Sequence, residues 1–98
     1  MDQAGNAVGK GDPKVQFEQI YKNIKAIVEA AGGRMNDVVK VNAYLVDMSQ
    51  LQALRDVRDR YINVKQPPAS TTVQVSRLFR EEFLAEIEAT AIIAKTNR

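Results

Sequence analysis

The chain contains neither cysteine nor histidine among its 98 residues. Without cysteine it forms no disulfide and has no thiol chemistry. Without histidine as well, it lacks the Ser-His and Cys-His nucleophile pairs and the usual ligands of zinc. Any catalysis by this chain therefore depends on carboxylates, lysine, arginine, tyrosine, hydroxyls, backbone amides or bound water.

The chain also lacks a long apolar run and a block of charge of one sign. No run approaches the ~20 residues that span a bilayer, and residues 1–12 have no apolar signal-peptide core. We therefore expect a cytoplasmic protein without membrane contact. Its 14 Lys and Arg are interleaved with 12 Asp and Glu, for a net charge of +2. Since nucleic-acid binders more often carry a basic stripe, this pattern disfavours nucleic acid as a partner.

Length and composition favour one folded domain over residues 1–98. The sequence is 45% hydrophobic and 27% charged, which is ordinary for a globular domain. A domain of this size buries only about 60–65% of the surface that its unfolded chain exposes. Association with further copies of the chain would therefore add stability.

The clearest local pattern predicts a helix between a Gly-rich N-terminal loop and the pair Gly32-Gly33. Asp12 suits the N-cap and Pro13 the first helical position, and the glycine pair suits a left-handed C-terminal cap. Apolar residues recur between these ends at helical spacing: Phe17, Ile20, Tyr21, Ile24, Ile27, Val28 and Ala31. We expect Phe17 and Tyr21, together with Tyr61, to lie in the core.

The rest of the chain predicts a strand, a second helix and two more strands. The strands are predicted at 38–46, 70–78 and 84–94, and the weaker helix follows residues 47–49. In the first strand one face is expected to carry Val39, Val41, Ala43 and Leu45. The order predicts an α+β fold with two helices on one face of a sheet. Apolar residues left on the opposite face would be buried in an oligomer or by a missing N-terminal strand.

Three segments resemble the reactive intermediate deaminase family (Rid, also described as YjgF-like or L-PSP endoribonuclease-like). Residues 16–48 contain a helix, a glycine turn, an Asp-Val-Val-Lys strand start and a Tyr-Leu-x-Asp exit. PASTTVQVSRL at 68–78 resembles the family's Pro-Ala-Arg-Thr-x-Val-x-Val segment. AEIEATAI at 85–92 resembles its Val-Glu-Ile-Glu-Ala-x-Ala strand. The resemblance covers residues 2–94.

The resemblance implies a chorismate-mutase-like (YjgF-like) α+β chain that forms a homotrimer with a small-molecule cleft between subunits. Active members hydrolyse reactive enamines and imines to 2-keto acids and ammonia, with no metal and no organic cofactor. In those members an arginine of the Pro-Ala-Arg segment pairs with the substrate carboxylate. A glutamate on the last strand positions a water.

The sequence departs from the family pattern in two places. Ser70 stands at the arginine position, and its single neutral hydroxyl cannot replace the paired, charge-assisted hydrogen bonds of a guanidinium. The family's N-terminal hairpin, which precedes the segment matching Asp2-Gln3, is absent from the 98 residues. We interpret the domain as N-terminally shortened, and a truncated piece, a misjudged start codon and a naturally short protein all stay open.

Glu86 matches the family's glutamate and is the candidate catalytic residue, with a solvated or ion-paired strand carboxylate as the alternative. Glu88 shares its strand face, although carboxylates at this spacing are common and a structural role is favoured. Ser70 and Thr71 are candidate substrate-binding residues by position, or simply hydroxyls at a strand edge. Arg55 on the second helix is a further candidate, since it could approach the cleft from another direction.

The alternative for Arg55 is a solvated helix face on which it pairs with Asp59 four residues later.

Taken together, these features favour a Rid-type protein that hydrolyses reactive imines, enamines or a related small adduct. A non-catalytic trimer that binds a metabolite or stabilises partner proteins is the alternative. Ribonuclease activity or translation inhibition is a weaker third, so whether the chain is an enzyme stays open.

Overall fold

The computed structural model describes residues 12–94, in which two α-helices pack on one face of a three-stranded sheet. The elements in chain order are α1 Pro13–Ala30, β1 Val38–Leu45, α2 Leu51–Arg58, β2 Ala69–Gln74 and β3 Ala85–Ala91. This confirms the predicted order and the α+β class. The predicted N-terminal loop lies outside the described residues. Within residues 12–94, no helix is both long enough and apolar enough to cross a membrane.

Helix α1 begins and ends where the sequence predicts. At its start the Asp12 carboxylate accepts a hydrogen bond from the Val15 N–H at 3.3 Å, as an N-cap does. At its end Gly32 adopts a φ of 90°, a conformation that a side chain would strain. The Gly33 N–H then bonds the Val28 carbonyl at 2.9 Å, which is the pattern of a Schellman cap.

The central strand of the sheet is β1, with β2 parallel on one side and β3 antiparallel on the other. Its alternation buries Val41 and Leu45 against the helices, as predicted. The prediction for Val39 is wrong. A bulge between Val38 and Lys40 inserts one residue opposite β3, so Val38 is buried and Val39 is 42% exposed.

Strands β2 and β3 are both shorter than predicted. They end at Gln74 and Ala91, whereas the alternation of apolar residues continues beyond both positions. The reason is that β1, which both strands pair with, has only eight residues. Just past the end of β2, the Val75 N–H still reaches the Leu45 carbonyl at 2.8 Å. Pairing, rather than local propensity, therefore sets the strand ends.

The main core lies between the two helices and the buried face of β1. It contains the side chains of Phe17, Tyr21, Leu45, Leu54 and Val57. This confirms the predicted core positions of Phe17 and Tyr21. Tyr61 is only partly buried, and its ring stacks on Tyr21 at the edge of the core with ring centroids 5.6 Å apart. Burial raises the pKa of Tyr21 to about 12, because the phenolate would lose its hydration.

One polar side chain is buried among residues 12–94, and it fastens α1 to the start of β3. Gln16 is 2% exposed. Its Nε2 donates to the Glu82 carbonyl at 2.9 Å, and its Oε1 accepts a hydrogen bond from the Leu84 N–H. The amide thus satisfies the backbone carbonyl of Glu82 and the backbone N–H of Leu84, which flank Phe83. A neighbouring β-strand would satisfy the same two groups with its own backbone.

Gln16→Ala is expected to lower the free energy of unfolding by about 2–4 kcal/mol, because it leaves both backbone groups without their partner. Urea denaturation followed by circular dichroism measures this change. The matched control is Lys22→Ala, an exposed position on the same helix, for which a change within about 0.5 kcal/mol is expected. Equal stability of the two variants would show that the Gln16 hydrogen bonds do not form.

Candidate functional site

The sheet face that points away from the helices is chiefly polar. The strand register places three rows of side chains on this open face: Tyr44 with Glu86 and Val73, Asn42 with Glu88 and Thr71, and Lys40 with Thr90 and Ala69. The large apolar side chain in these rows is Val73, at 41% exposed. This face therefore offers less apolar surface for an oligomer than the pattern of the sequence predicts.

The two glutamates of β3 have different surroundings on the open face. The Tyr44 hydroxyl donates to Glu88 Oε1 at 2.6 Å, a short, charge-assisted hydrogen bond. That bond is the main reason why the pKa of Tyr44 is raised above its usual value, because deprotonation would remove the donor. The Glu86 carboxylate forms no hydrogen bond or ion pair within residues 12–94 and meets Tyr44 only through its charge.

An apolar groove of about 350 Å³ lies between α1 and β3, next to Glu86. Its apolar lining comes from α1, from the connection before β3 and from β3 itself: Ile20, Ile24, Ile27, Leu78, Phe79, Phe83, Ala85 and Ile87. Gln16, Asn23 and Glu86 supply its polar lining. The Gln16 hydrogen bonds hold the segment that carries Phe83 against α1, so they also fix the width of the groove.

The structure does not bring Ser70 and Glu86 together within one chain. Ser70 pairs with Val41 in the register, so it lies on the helix side of the sheet, whereas Glu86 pairs with Tyr44 on the open face. Their strands flank β1 on opposite sides, which separates them by about 10 Å across the sheet. Thr71 does lie on the open face, in the row of Glu88.

Arg55 also lies away from Glu86, on the exposed surface of α2 in the helix layer. The predicted pair between Arg55 and Asp59 is wrong, because Asp59 pairs with the neighbouring Arg58 at 3.1 Å. Arg60 pairs with Glu18 of α1 at 3.1 Å. Ser70 and Arg55 thus stay predicted site residues that only a second chain can bring to the Glu86 carboxylate.

Two residues that organise this region were not singled out from the sequence. Tyr44 alternates with the buried Ala43 and Leu45, so the period of a strand places it on the open face. Its bond to Glu88 depends on how β1 and β3 pair, which the sequence does not specify. In the sequence Gln16 is an ordinary polar position on α1, and no local pattern predicts its hydrogen bonds to the backbone of Glu82 and Leu84.

Within residues 12–94, no cluster of three or more acidic side chains is arranged to hold a metal ion.

Glu88→Gln is expected to lower the pKa of Tyr44 toward its ordinary value, because the variant removes the charged acceptor of its hydroxyl. Glu86→Gln should lower it less, since the Glu86 charge is the smallest of the four causes. A pH titration of the Tyr44 Cζ resonance by NMR measures both changes. The same Tyr44 pKa in native protein and Glu88→Gln would contradict the hydrogen bond.

Comparison with known proteins gives one consistent result. The family model described as Endoribonuclease L-PSP matches residues 1–93. A RutC family protein of Pyrococcus horikoshii is 44% identical over 91 residues, which cover 93% of this chain and 71% of that protein. A 2-iminobutanoate/2-iminopropanoate deaminase of Dermatophagoides farinae is 34% identical over 94 residues, which cover 95% of this chain and 71% of the deaminase.

Solved structures show the same likeness. The RidA structure from an Antarctic Psychrobacter species has a TM-score of 0.77 and 44% identity, over 82% of this chain and 63% of that one. A putative endoribonuclease of Thermotoga maritima has a TM-score of 0.84 and 33% identity, over 96% and 71%. The chain thus spans about two thirds of the length of such relatives. The chain belongs to the Endoribonuclease L-PSP family, the family of the RutC and Rid (YjgF-like) proteins, as its sequence motifs indicate.

Proposed function

We propose that this protein hydrolyses reactive imines or enamines, or a related small adduct, and that Glu86 holds the attacking water. The observation that carries the proposal is the difference between the two glutamates of β3. Glu88 is bound by the Tyr44 hydroxyl, whereas Glu86 is exposed, without a hydrogen-bond partner in the described residues, and next to the apolar groove. The 2-iminobutanoate/2-iminopropanoate deaminase among its relatives supports the same reaction class.

The proposed reaction needs one carboxylate and one water. Glu86 accepts a proton from the water as the water oxygen bonds to the imine carbon, and the imine π bond becomes a lone pair on nitrogen, which takes up a proton. The resulting carbinolamine then loses its C–N bond. Glu86 carries the hydroxyl proton to the nitrogen, which leaves as ammonia, while the oxygen becomes a carbonyl. An enamine enters the same sequence once its carbon is protonated to give the imine.

The substrate that fits this face is one without a carboxylate. Ser70 offers a neutral hydroxyl where the family pattern has an arginine, and the register places it on the other side of the sheet. Glu86 and Glu88 make the open face of β3 negative, and like charge disfavours an anionic ligand there. A neutral or protonated imine carries no such penalty, and the neighbouring groove suits an apolar substituent.

A homotrimer with the ligand in a cleft between subunits is part of this proposal. One chain leaves Ser70 and Arg55 on the helix side and Glu86 on the open face, so a complete site that uses all of them requires a neighbouring subunit. The same separation favours the alternative function, a trimer that binds a small metabolite without transforming it. In that case Glu86 is a ligand-binding residue and not a base.

Hydrolysis of freshly generated 2-imino acids, and of a ketimine without a carboxylate, tests the proposal. Native protein is expected to hydrolyse the ketimine faster than the 2-imino acids. Glu86→Gln should lower kcat about 100-fold or more, because the amide cannot accept the proton from water. Glu88→Gln, a matched change two residues away on the same face, should reduce kcat much less.

Ser70→Arg provides the complementary experiment. If subunits bring residue 70 to the cleft, the new guanidinium should raise the turnover of 2-imino acids and leave that of the ketimine nearly unchanged. An unchanged rate in Glu86→Gln would rule out the proposed role of this carboxylate. If native protein and Ser70→Arg are both inactive on every imine, the absence of the family's N-terminal hairpin from these 98 residues or a non-catalytic role becomes the leading explanation.

A further inference from the structure

A second cavity, of about 330 Å³, lies on the surface of the helix layer, on the flank of α1 that faces α2. Its lining comes from α1, from the turn before β1 and from the end of α2, and includes Lys25, Glu29, Arg34, Met35, Arg60 and Tyr61. None of these residues lines the apolar groove beside Glu86. The volume is at the lower end of the range for small-molecule sites, about 300–1,000 Å³.

Three of the four charged side chains in this lining are positive. Lys25, Arg34 and Arg60 are exposed, and Glu29 is the one carboxylate among the described lining residues. The whole chain interleaves its charges, for a net charge of +2, so this concentration of cations is local. A concave surface lined chiefly by charge of one sign raises the local concentration of ligands with the opposite sign.

The cations of this cavity are available to a ligand. In the part of the chain that the structure describes, the side chains of Lys25 and Arg34 form no hydrogen bond or ion pair. Arg60 pairs with Glu18 at 3.1 Å, but both side chains are partly exposed, and such surface pairs contribute little to stability. A ligand with a greater negative charge can therefore displace Glu18 from Arg60.

The end of α1 does not require these cations. Positive side chains are common near a helix C-terminus, because the last carbonyls lack a partner within the helix. In α1 the N–H groups of residues 31–33 already bond the carbonyls of residues 27–29. A ligand, rather than the end of the helix, is therefore the partner that suits these side chains.

The chemistry of the lining suits a phosphate group with an organic substituent. A guanidinium presents parallel N–H donors that match two phosphate oxygens, and lysine binds phosphate as a compact charge. Met35 and Tyr61 are partly buried and add apolar surface to the same cavity.

We propose that this cavity binds a small phosphate monoester. Lys25, Arg34 and Arg60 hold its phosphate group, and its organic part lies against Met35 and Tyr61. The site does not depend on the proposed hydrolysis, since it uses neither Glu86 nor the sheet.

Phenyl phosphate is the probe, inorganic phosphate and phenol represent its two parts, and the full 98-residue chain is the protein to use. Saturable NMR shifts are expected for the amides of residues 34–36 and 60–61. Phenyl phosphate should bind about tenfold more tightly than inorganic phosphate, because only the ester contacts Met35 and Tyr61. Phenol lacks the charge and should not bind at the same concentrations.

Matched variants locate the site. Arg34→Gln should weaken the binding of phenyl phosphate about tenfold, whereas Arg77→Gln, at an exposed arginine outside the lining, should leave it unchanged. Glu29→Gln should strengthen binding, because it removes the carboxylate that repels the phosphate. Glu86→Gln should leave binding unchanged, which separates this site from the proposed hydrolysis. Absence of saturable binding, or equal effects of Arg34→Gln and Arg77→Gln, overturns the proposal.

Discussion

The hydrogen bonds of the Gln16 side chain are the interaction on which the arrangement of this molecule depends. They join α1 to the backbone of Glu82 and Leu84, 66 and 68 residues further along the chain. Ordering so long a connection costs conformational entropy, and the buried amide offsets part of that cost with two bonds out of contact with water. The groove between α1 and β3, and the position from which Glu86 projects, both follow from where this contact places the start of β3.

The second constraint is the pairing of β3 with β1, which separates two chemically identical side chains. Both glutamates lie on the open face because they alternate with the inward-facing Ile87. Glu88 lies opposite Asn42 in the register, and the Tyr44 hydroxyl reaches the Glu88 carboxylate from the neighbouring row. Glu88 is therefore held in place by a hydrogen bond, whereas Glu86 has no such bond within residues 12–94. The difference between the surroundings of the two glutamates therefore comes from a neighbouring strand and not from β3 itself.

The sequence predicts the features of this fold that are local. The caps of α1 follow from Asp12 and the glycine pair because each acts within a few residues of its own position. The prediction for Val39 is wrong because a bulge depends on the partner strand, and the ends of β2 and β3 depend on the length of β1.

The candidate site divides in the same way. The motif that resembles the family's last strand makes Glu86 a candidate, and the register shows that Ser70 lies on the other side of the sheet. A single sequence carries no signal for register between strands this far apart along the chain.

The amide hydrogen exchange of Leu84 tests most directly whether the Gln16 side chain fastens the start of β3 to α1. The predicted result is protection similar to that of the β1 amides that pair with β3. Exchange as fast as that of the exposed Glu81 would contradict it, because the start of β3 would then not be fastened to α1.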